Sequence, residues 1–224
     1  MPKTVYVVGA DGYKSSYVNW LEMEQIDDFS AADLIFLTGG GDWNNDLYSE
    51  PNSGLLNFDK SYDAYEMSYI NRAIEEGKKI FGTCRGYQAL PFIGGLSGSV
   101  FQNIRHSYYH DIKTYDGKSL ICNSLHHNLP NFTKLKEGID YIPLAWTSPS
   151  KIHINGWRQN IKQDRDIEAA YFPKLGVNGS KAMGYQWHQE LLFANGYTKE
   201  HQKLIDNTLE WGKKQLDLFM EDKL

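Results

Sequence analysis

Lys78-Lys79-Ile80-Phe81-Gly82-Thr83-Cys84-Arg85-Gly86 sets a short strand-like run against a cysteine with glycine two positions before it and two after. That spacing is the G-x-S-x-G nucleophile elbow with sulfur in place of the hydroxyl. Small flanking residues are needed there because the chain must turn sharply from strand to helix with the central residue strained. Such a turn lifts the side chain above the sheet edge, and the N-terminus of the following helix favours a thiolate. Cys84 is therefore the candidate nucleophile. The other cysteine, Cys122, sits mid-strand with no base nearby in sequence and reads as core.

About a hundred residues on, Met183-Gly184-Tyr185-Gln186-Trp187 reads as a strand that ends in His188-Gln189-Glu190. In extended chain, residues i and i+2 point to one side, which puts His188 and Glu190 on a shared face. The histidine can then reach a nucleophile while the carboxylate orients the ring and stabilises its charged form. A Cys, a His and an acid from separate strand ends is the logic of an activated nucleophile. An acyl-transfer reaction also needs two donors where charge develops on oxygen, and the amide after the nucleophile, Arg85 N–H, supplies one.

A third segment joins them. Asp33-Leu34-Ile35-Phe36-Leu37 is an apolar strand running into Thr38-Gly39-Gly40-Gly41-Asp42. The three motifs together resemble the class I glutamine amidotransferase superfamily, with its PGG-type loop, G-x-C-x-G elbow and terminal W-H-P-E. Within it the chain looks most like the gamma-glutamyl hydrolase and gamma-glutamyl-aminobutyrate hydrolase branch. That closer likeness rests on Gly40-Gly41-Asp42 with Leu47-Tyr48-Ser49-Glu50-Pro51, and on Cys84-Arg85-Gly86-Tyr87-Gln88. Gly94-Gly95, Phe101-Gln102 and Asn123-Ser124-Leu125-His126-His127 extend it, roughly over residues 33 to 215. The chain departs from the pattern at Thr38 and Gln189, where prolines are usual, and at Asn128, where glutamine is. The region before Asp33 is also short, with room for one strand and one helix.

The resemblance implies several roles. Gly40 N–H becomes the second oxyanion donor. Gln88, one helical turn past Cys84, helps bind the glutamyl moiety, and His126 and His127 line that pocket. It implies a cysteine-dependent hydrolase of gamma-glutamyl amides or glutamine, working through a thioester. The alternative is a glutaminase that delivers ammonia to a synthase partner; Arg85 after the cysteine favours the stand-alone hydrolase. No cofactor is implied and no metal. His126-His127 and the His106/His110 pair lack further ligands at metal spacing, and His106 and His110 read as polar loop or pocket-rim residues. Leaving-group selectivity is expected from the loop from Trp43 to Gly54 and from Tyr108-Tyr109.

Composition agrees with one domain over residues 1–224, long enough to bury a core. A formal charge of −5 and no basic stripe argue against a nucleic-acid partner, and Lys213-Lys214 reads as a solvated helix face. No apolar run approaches the ~20 residues of a membrane span. Thr4 to Val8 is a strand and not a signal-peptide core, and two cysteines with no disulfide framework point to the cytoplasm.

Strands alternating with helices predict a doubly wound, mostly parallel, flavodoxin-like α/β sheet. Ser16 is placed to cap a first helix. Ala64, Met67, Ile70 and Ile74 mark the stripe of a second, which Gly77 ends. Pro91 limits the regularity of the elbow helix. Leu120–Cys122 and Ile167–Tyr171, with no strong helix between, predict an antiparallel or mixed extension. The charge run Asp164, Arg165, Asp166 and Glu168 reads as solvated. A closing helix from about Lys199 to Leu216 carries Leu204, Ile205, Leu209 and Leu216.

Overall fold

The computed structural model describes residues 3–9, 14–47, 59–93, 100–101, 104–105, 109–123, 125–126, 128–132, 140–147, 153–154, 165–191 and 199–224. In chain order the elements are β1 (Thr4–Val8), α1 (Lys14–Leu21), β2 (Glu24–Gln25), β3 (Leu34–Leu37), α2 (Lys60–Glu75), β4 (Lys79–Thr83) and α3 (Arg85–Ile93). Then come β5 (Val100–Phe101), β6 (Ile104–Arg105), β7 (Tyr109–Thr114), β8 (Ser119–Asn123), β9 (Leu129–Pro130), β10 (Ile142–Thr147) and β11 (His153–Ile154). Last are β12 (Asp166–Leu175), β13 (Ser180–Tyr185) and α4 (Lys199–Met220).

Nine strands form one sheet in the order β2-β1-β3-β4-β13-β12-β10-β7-β8. The five strands from β2 to β13 run parallel. From β13 outward every pairing is antiparallel. The parallel half and the antiparallel extension both match the sequence reading. The parallel strands are near-continuous apolar runs, as burial on both faces requires. One face packs Val5, Val7, Phe36, Phe81, Met183 and Tyr185 against Ile205, Trp211, Leu216 and Phe219 of α4. The other packs Val8, Ile35, Leu37 and Ile80 against Ile70 and Ala73 of α2 and Tyr87 and Leu90 of α3.

Several local expectations shift. Helix α1 starts at Lys14, so Ser16 lies inside it. The two-residue strand β2 adds an element where one strand and one helix were expected. Helix α2 is capped by Asp59, whose side chain accepts from the Ser61 and Tyr62 amides. Its buried stripe is Asp63, Glu66, Ile70 and Ala73, with Ala64 exposed. The helix is turned by one position from the apolar reading, because its two acids have a buried partner. Leu204 is exposed, while Trp211 and Phe219 complete the buried face of α4. Lys213 is not merely solvated: its ammonium donates to the Trp20 and Leu21 carbonyls at the end of α1, capping carbonyls left without helical partners. None of the helices described is long and apolar enough to cross a membrane.

Packing density predicts opposite outcomes at two glycines. A Cβ at Gly184 would lie 2.6 Å from the Gly82 carbonyl oxygen and 2.7 Å from the Tyr87 ring. Gly184→Ala should therefore cost about 1–3 kcal/mol. At Gly212, inside α4, the nearest atom is 3.4 Å away, and Gly212→Ala should stabilise by about 0.5–1 kcal/mol through helix propensity. Urea unfolding of both variants checks the pair.

Candidate active site

Three segments leave the carboxyl ends of adjacent parallel strands and meet. Leu37 pairs with Gly82 and Tyr185 with Thr83, so the chain after β3, after β4 and after β13 emerges at one level. In open α/β sheets this edge is where sites form. Cys84 follows β4 with φ +51°, the left-handed region, at a cost of about 1–3 kcal/mol for a non-glycine residue. Backbone bonds hold it there. Cys84 N–H donates to the Tyr185 carbonyl at 2.8 Å, and the Cys84 carbonyl accepts from Gln88 N–H at 2.9 Å as the first bond of α3. Gly86 N–H donates to the Thr38 carbonyl at 3.2 Å and so ties the elbow to the loop after β3. A Cβ on Gly82 would stand 2.5 Å from the carbonyl group of Gly86, and one on Gly86 would overlap the Leu37 carbonyl. The two glycines of the motif are there because strand and helix cross without room for a side chain.

His188 and Glu190 come together by a different route from the expected extended strand. β13 ends at Tyr185, and Gln189–Leu191 is a single 3-10 turn. That turn folds the acid back, so that Glu190 Oε1 lies 2.6 Å from His188 Nδ1. The carboxylate accepts, so Nδ1 carries the proton and Nε2 is left for the hydrogen bond to Cys84. The side-chain amide of Asn123 seats the histidine, donating to its carbonyl and accepting from its N–H, both at 2.8 Å. Burial works against a charged ring. The charge of Cys84, its hydrogen bond, and the hydrogen bond and charge of Glu190 outweigh that and push the His188 pKa up to about 10. Cys84 is buried. The His188 side chain keeps 13% of its surface, whereas Glu190 keeps 1%, so the ring is the accessible member.

Arg85, at the first position of α3, turns its side chain inward. Its guanidinium lies 2.7 Å from both Asp63 Oδ1 and Glu66 Oε2, with all three side chains 2–4% exposed. It donates to the Gly41 and Asp42 carbonyls at 2.9 and 2.8 Å and lies 3.7 Å over the Trp43 ring. Trp43 Nε1–H donates back to the Arg85 carbonyl. One cation thus clamps the glycine loop onto the elbow helix. Exposed Gly40 sits directly against it: a Cβ there would meet Arg85 Cδ at 2.8 Å. The first amide of α3, Arg85 N–H, has no intrahelical acceptor, and Gly40 packs against the side chain of that same residue. Trp43 is consequently buried and does not edge a leaving-group pocket.

The remaining expected pocket residues are tied to one another. Gln88 Nε2 donates to the Asn128 carbonyl at 2.9 Å, and His126 Nδ1–H donates to the same oxygen at 2.9 Å. Asn128 Nδ2 in turn donates to Asp42 Oδ1 at 2.6 Å. Gln88 is thereby buried as a brace between the elbow helix and Asn128. His127, His106, Tyr108, Asp164 and residues 48–54 lie outside the described residues. The charge run is only partly solvated: Arg165 is exposed, while its two acids on β12 turn inward. Asp166 and Glu168 are fully buried, and Asp166 accepts from the Thr147 hydroxyl at 2.8 Å. His110 is also buried, not a rim residue.

Sequence reasoning missed Asp42, Asp63, Glu66 and Asn123. The pattern 63, 66, 70, 73 contained the clue for two of them, since acids at i and i+3 continued an apolar helical stripe. Asn123 and Asp42 were legible only as parts of motifs.

The profile of the Peptidase C26 family matches residues 21–133, half of the chain and the part holding the glycine loop, the elbow and residues 126–128. The chain belongs to the Peptidase C26 family. It is 28% identical over 182 residues to Protein NtpR of Enterococcus hirae, covering 75% of this chain and 71% of that protein. It is 41% identical over 73 residues to the glutamine amidotransferase-like protein YvdE of Lactococcus lactis, covering 32% and 30%. Among solved structures, a glutamine amidotransferase from Thermotoga maritima superposes with TM-score 0.55 at 13% identity, covering 98% of this chain and 94% of that one. The Trypanosoma brucei CTPS glutaminase domain with bound acivicin gives 0.55 at 12% identity, covering 96% and 94%. These likenesses establish the class I glutamine amidotransferase fold for this C26 chain.

Arg85→Met leaves two buried carboxylates with no counter-charge, which should cost about 3–5 kcal/mol. Adding Asp63→Asn and Glu66→Gln to it should recover much of that loss, because the uncompensated charge is gone. Denaturant unfolding of the single and triple variants measures both steps.

Proposed function

We propose that this chain is a cysteine-dependent hydrolase of gamma-glutamyl amide bonds, with Cys84 as nucleophile, His188 as acid and base, and Glu190 as the group that orients the ring. The observation that carries the reading is the left-handed cysteine at the head of α3 facing a histidine whose other nitrogen is bound to a carboxylate. A protonated ring beside the sulfur is the counter-charge that a thiolate nucleophile needs.

The thiolate attacks the carbonyl carbon of the gamma amide, and charge moves onto the oxygen. The Arg85 and Gly40 amides receive that charge, at the helix start beside the nucleophile. His188 Nε2–H protonates the departing nitrogen, the C–N bond breaks, and a thioester remains. The now neutral ring takes a proton from water, which attacks the thioester and releases glutamate while the sulfur leaves as thiolate. Glu190 keeps its bond to Nδ1 throughout, so one nitrogen handles both transfers. The Asp42–Asn128–Gln88–His126 network supports the pocket for the polar end of the glutamyl group. The leaving nitrogen is ammonia or an amine. Delivery of ammonia to a synthase partner would use the same steps, and comparing ammonia release from glutamine with amine release from gamma-glutamyl amides separates the two uses.

The deciding experiment compares gamma-glutamyl amides with a free and an acetylated α-amine. A site built to hydrogen-bond the free amine should reject the acetylated compound by about four orders of magnitude, whereas one added methylene on the amine side should change the rate by only about ten- to two-hundred-fold. Cys84→Ala should abolish turnover with the fold kept, and Cys122→Ala should leave it nearly unchanged. Cleavage of the acetylated substrate at full rate, or of ordinary α-peptides, would reject the gamma-glutamyl reading.

The pH profile supplies a second check. The reacting form carries a protonated ring, whose folded pKa is raised to about 10. Activity should therefore persist above pH 6.5, where an ordinary histidine loses its proton, and fall as pH rises through about 10. Removing the carboxylate removes one cause of the raised value, so Glu190→Gln should move that alkaline limb to lower pH.

A further inference from the structure

A second cysteine, histidine and glutamate meet inside the antiparallel half of the sheet. His110 on β7 pairs directly with Cys122 on β8, and His110 Nε2 lies 3.2 Å from Cys122 Sγ. The same nitrogen lies 3.2 Å from Glu168 Oε1. Glu168 comes from β12, where the register against β10 slips between Ala145 and Trp146. Ala145 pairs with Ala169 and Trp146 with Ile167, so Glu168 is the extra residue of a bulge, the device that re-aims a side chain within a ladder. All three residues are buried, at 6%, 0% and 0% exposure. Their sulfur, nitrogen and oxygen lie within 4.8 Å of one another. The spacing 110, 122, 168 belongs to no local metal motif, which is why the sequence reading gave His110 and Cys122 separate, ordinary roles.

We propose that His110, Cys122 and Glu168 form a binding site for a single zinc-class divalent transition-metal ion, which pins β7, β8 and β12 together beneath the candidate active site. Donor type and charge fit, as do the two distances to His110 Nε2. Thiolate, imidazole and carboxylate are the zinc ligand set. Bonds of about 2.0–2.3 Å in a tetrahedral arrangement place ligand atoms roughly 3.3–3.6 Å apart, a few tenths of an ångström wider than the observed 3.2 Å contacts. One thiolate and one carboxylate bring two negative charges into a fully buried position, and a divalent cation neutralises both. Water completes the fourth position. The cation must displace the thiol proton, which burial and then the charges of Glu168 and Asp111 hold on by raising the Cys122 pKa, so binding should strengthen as pH rises. The site takes no chemical step. It lies one residue from Asn123, which seats His188, and the Glu168 carbonyl accepts from Gln186 N–H, two residues before that histidine.

The test uses full-length Cys84→Ala protein under reducing conditions, with Co2+ as the probe. The chain has two cysteines, so this variant keeps only Cys122 as a thiol. Titration should give one cobalt per chain with a near-ultraviolet thiolate-to-cobalt charge-transfer band, and zinc should displace it. Glu168→Gln and His110→Ala in the same background should each weaken binding by more than the ~10–100-fold that outer-shell changes cost. Absence of the band, or cobalt bound without it, overturns the proposal for the folded Cys84→Ala protein whether or not the other variants fold. A band left intact in both variants would mean a simple thiol adduct and would overturn it equally.

Discussion

The left-handed turn at Cys84 is the constraint from which the rest of the site follows. Three backbone bonds hold this strained β-to-α junction in place. Tyr185 fixes the Cys84 amide, the first bond of α3 fixes its carbonyl, and Thr38 fixes Gly86. These bonds reach β13 on one side and the loop after β3 on the other. The contacts that hold the strained residue are thus the same contacts that bring the glycine loop and the histidine strand to it. Strain of about 1–3 kcal/mol survives only when its surroundings over-determine it, and the glycines at 82 and 86 permit the close crossing that lets them do so.

Arg85 solves the problem that the turn creates next. The loop from Thr38 to Asn44 carries backbone groups into a buried corner, where carbonyls without partners are costly. The guanidinium has enough donors to serve the Gly41 and Asp42 carbonyls while still facing two carboxylates. The arrangement is costly to break and weak as net stabilisation, since desolvating three charges offsets much of their attraction. Its consequence is positional: the planar fork fixes the loop relative to the nucleophile. Burial raises the Glu66 pKa despite the cation beside it.

The sequence made the parallel half of the sheet and the elbow legible because both are local. Apolar runs such as Leu34–Leu37 and a five-residue glycine motif need no distant partner to be read. The antiparallel extension was visible at Cys122 and Ile167 for the same reason. What stayed hidden depends on contacts across the fold. Asp63 and Glu66 look like errors in an apolar stripe until Arg85 is placed between them. Asp166 and Glu168 look solvated until Thr147 and His110 arrive from other strands. The 3-10 turn at Gln189–Leu191 could not be told from a strand end, because either geometry brings residue 190 near residue 188.

Two constellations of Cys, His and Glu in one chain differ in how the fold arranges the same residue types. Cys84 stands at a strand end, where the backbone turns away and leaves the sulfur beside a helix N-terminus and a partly open ring. Cys122 stands within the edge strand β8, opposite His110 of β7, with its thiol pushed toward the neutral form by burial and nearby carboxylates. The order of the three groups also differs. At the first set the ring lies between sulfur and acid, with one nitrogen for each, so a proton can be taken on one side while charge is steadied on the other. At the second, sulfur and carboxylate converge on the same Nε2. That geometry cannot relay a proton through the ring from one to the other. It brings three donor atoms within 4.8 Å of one another, which is what a cation requires and a nucleophile does not.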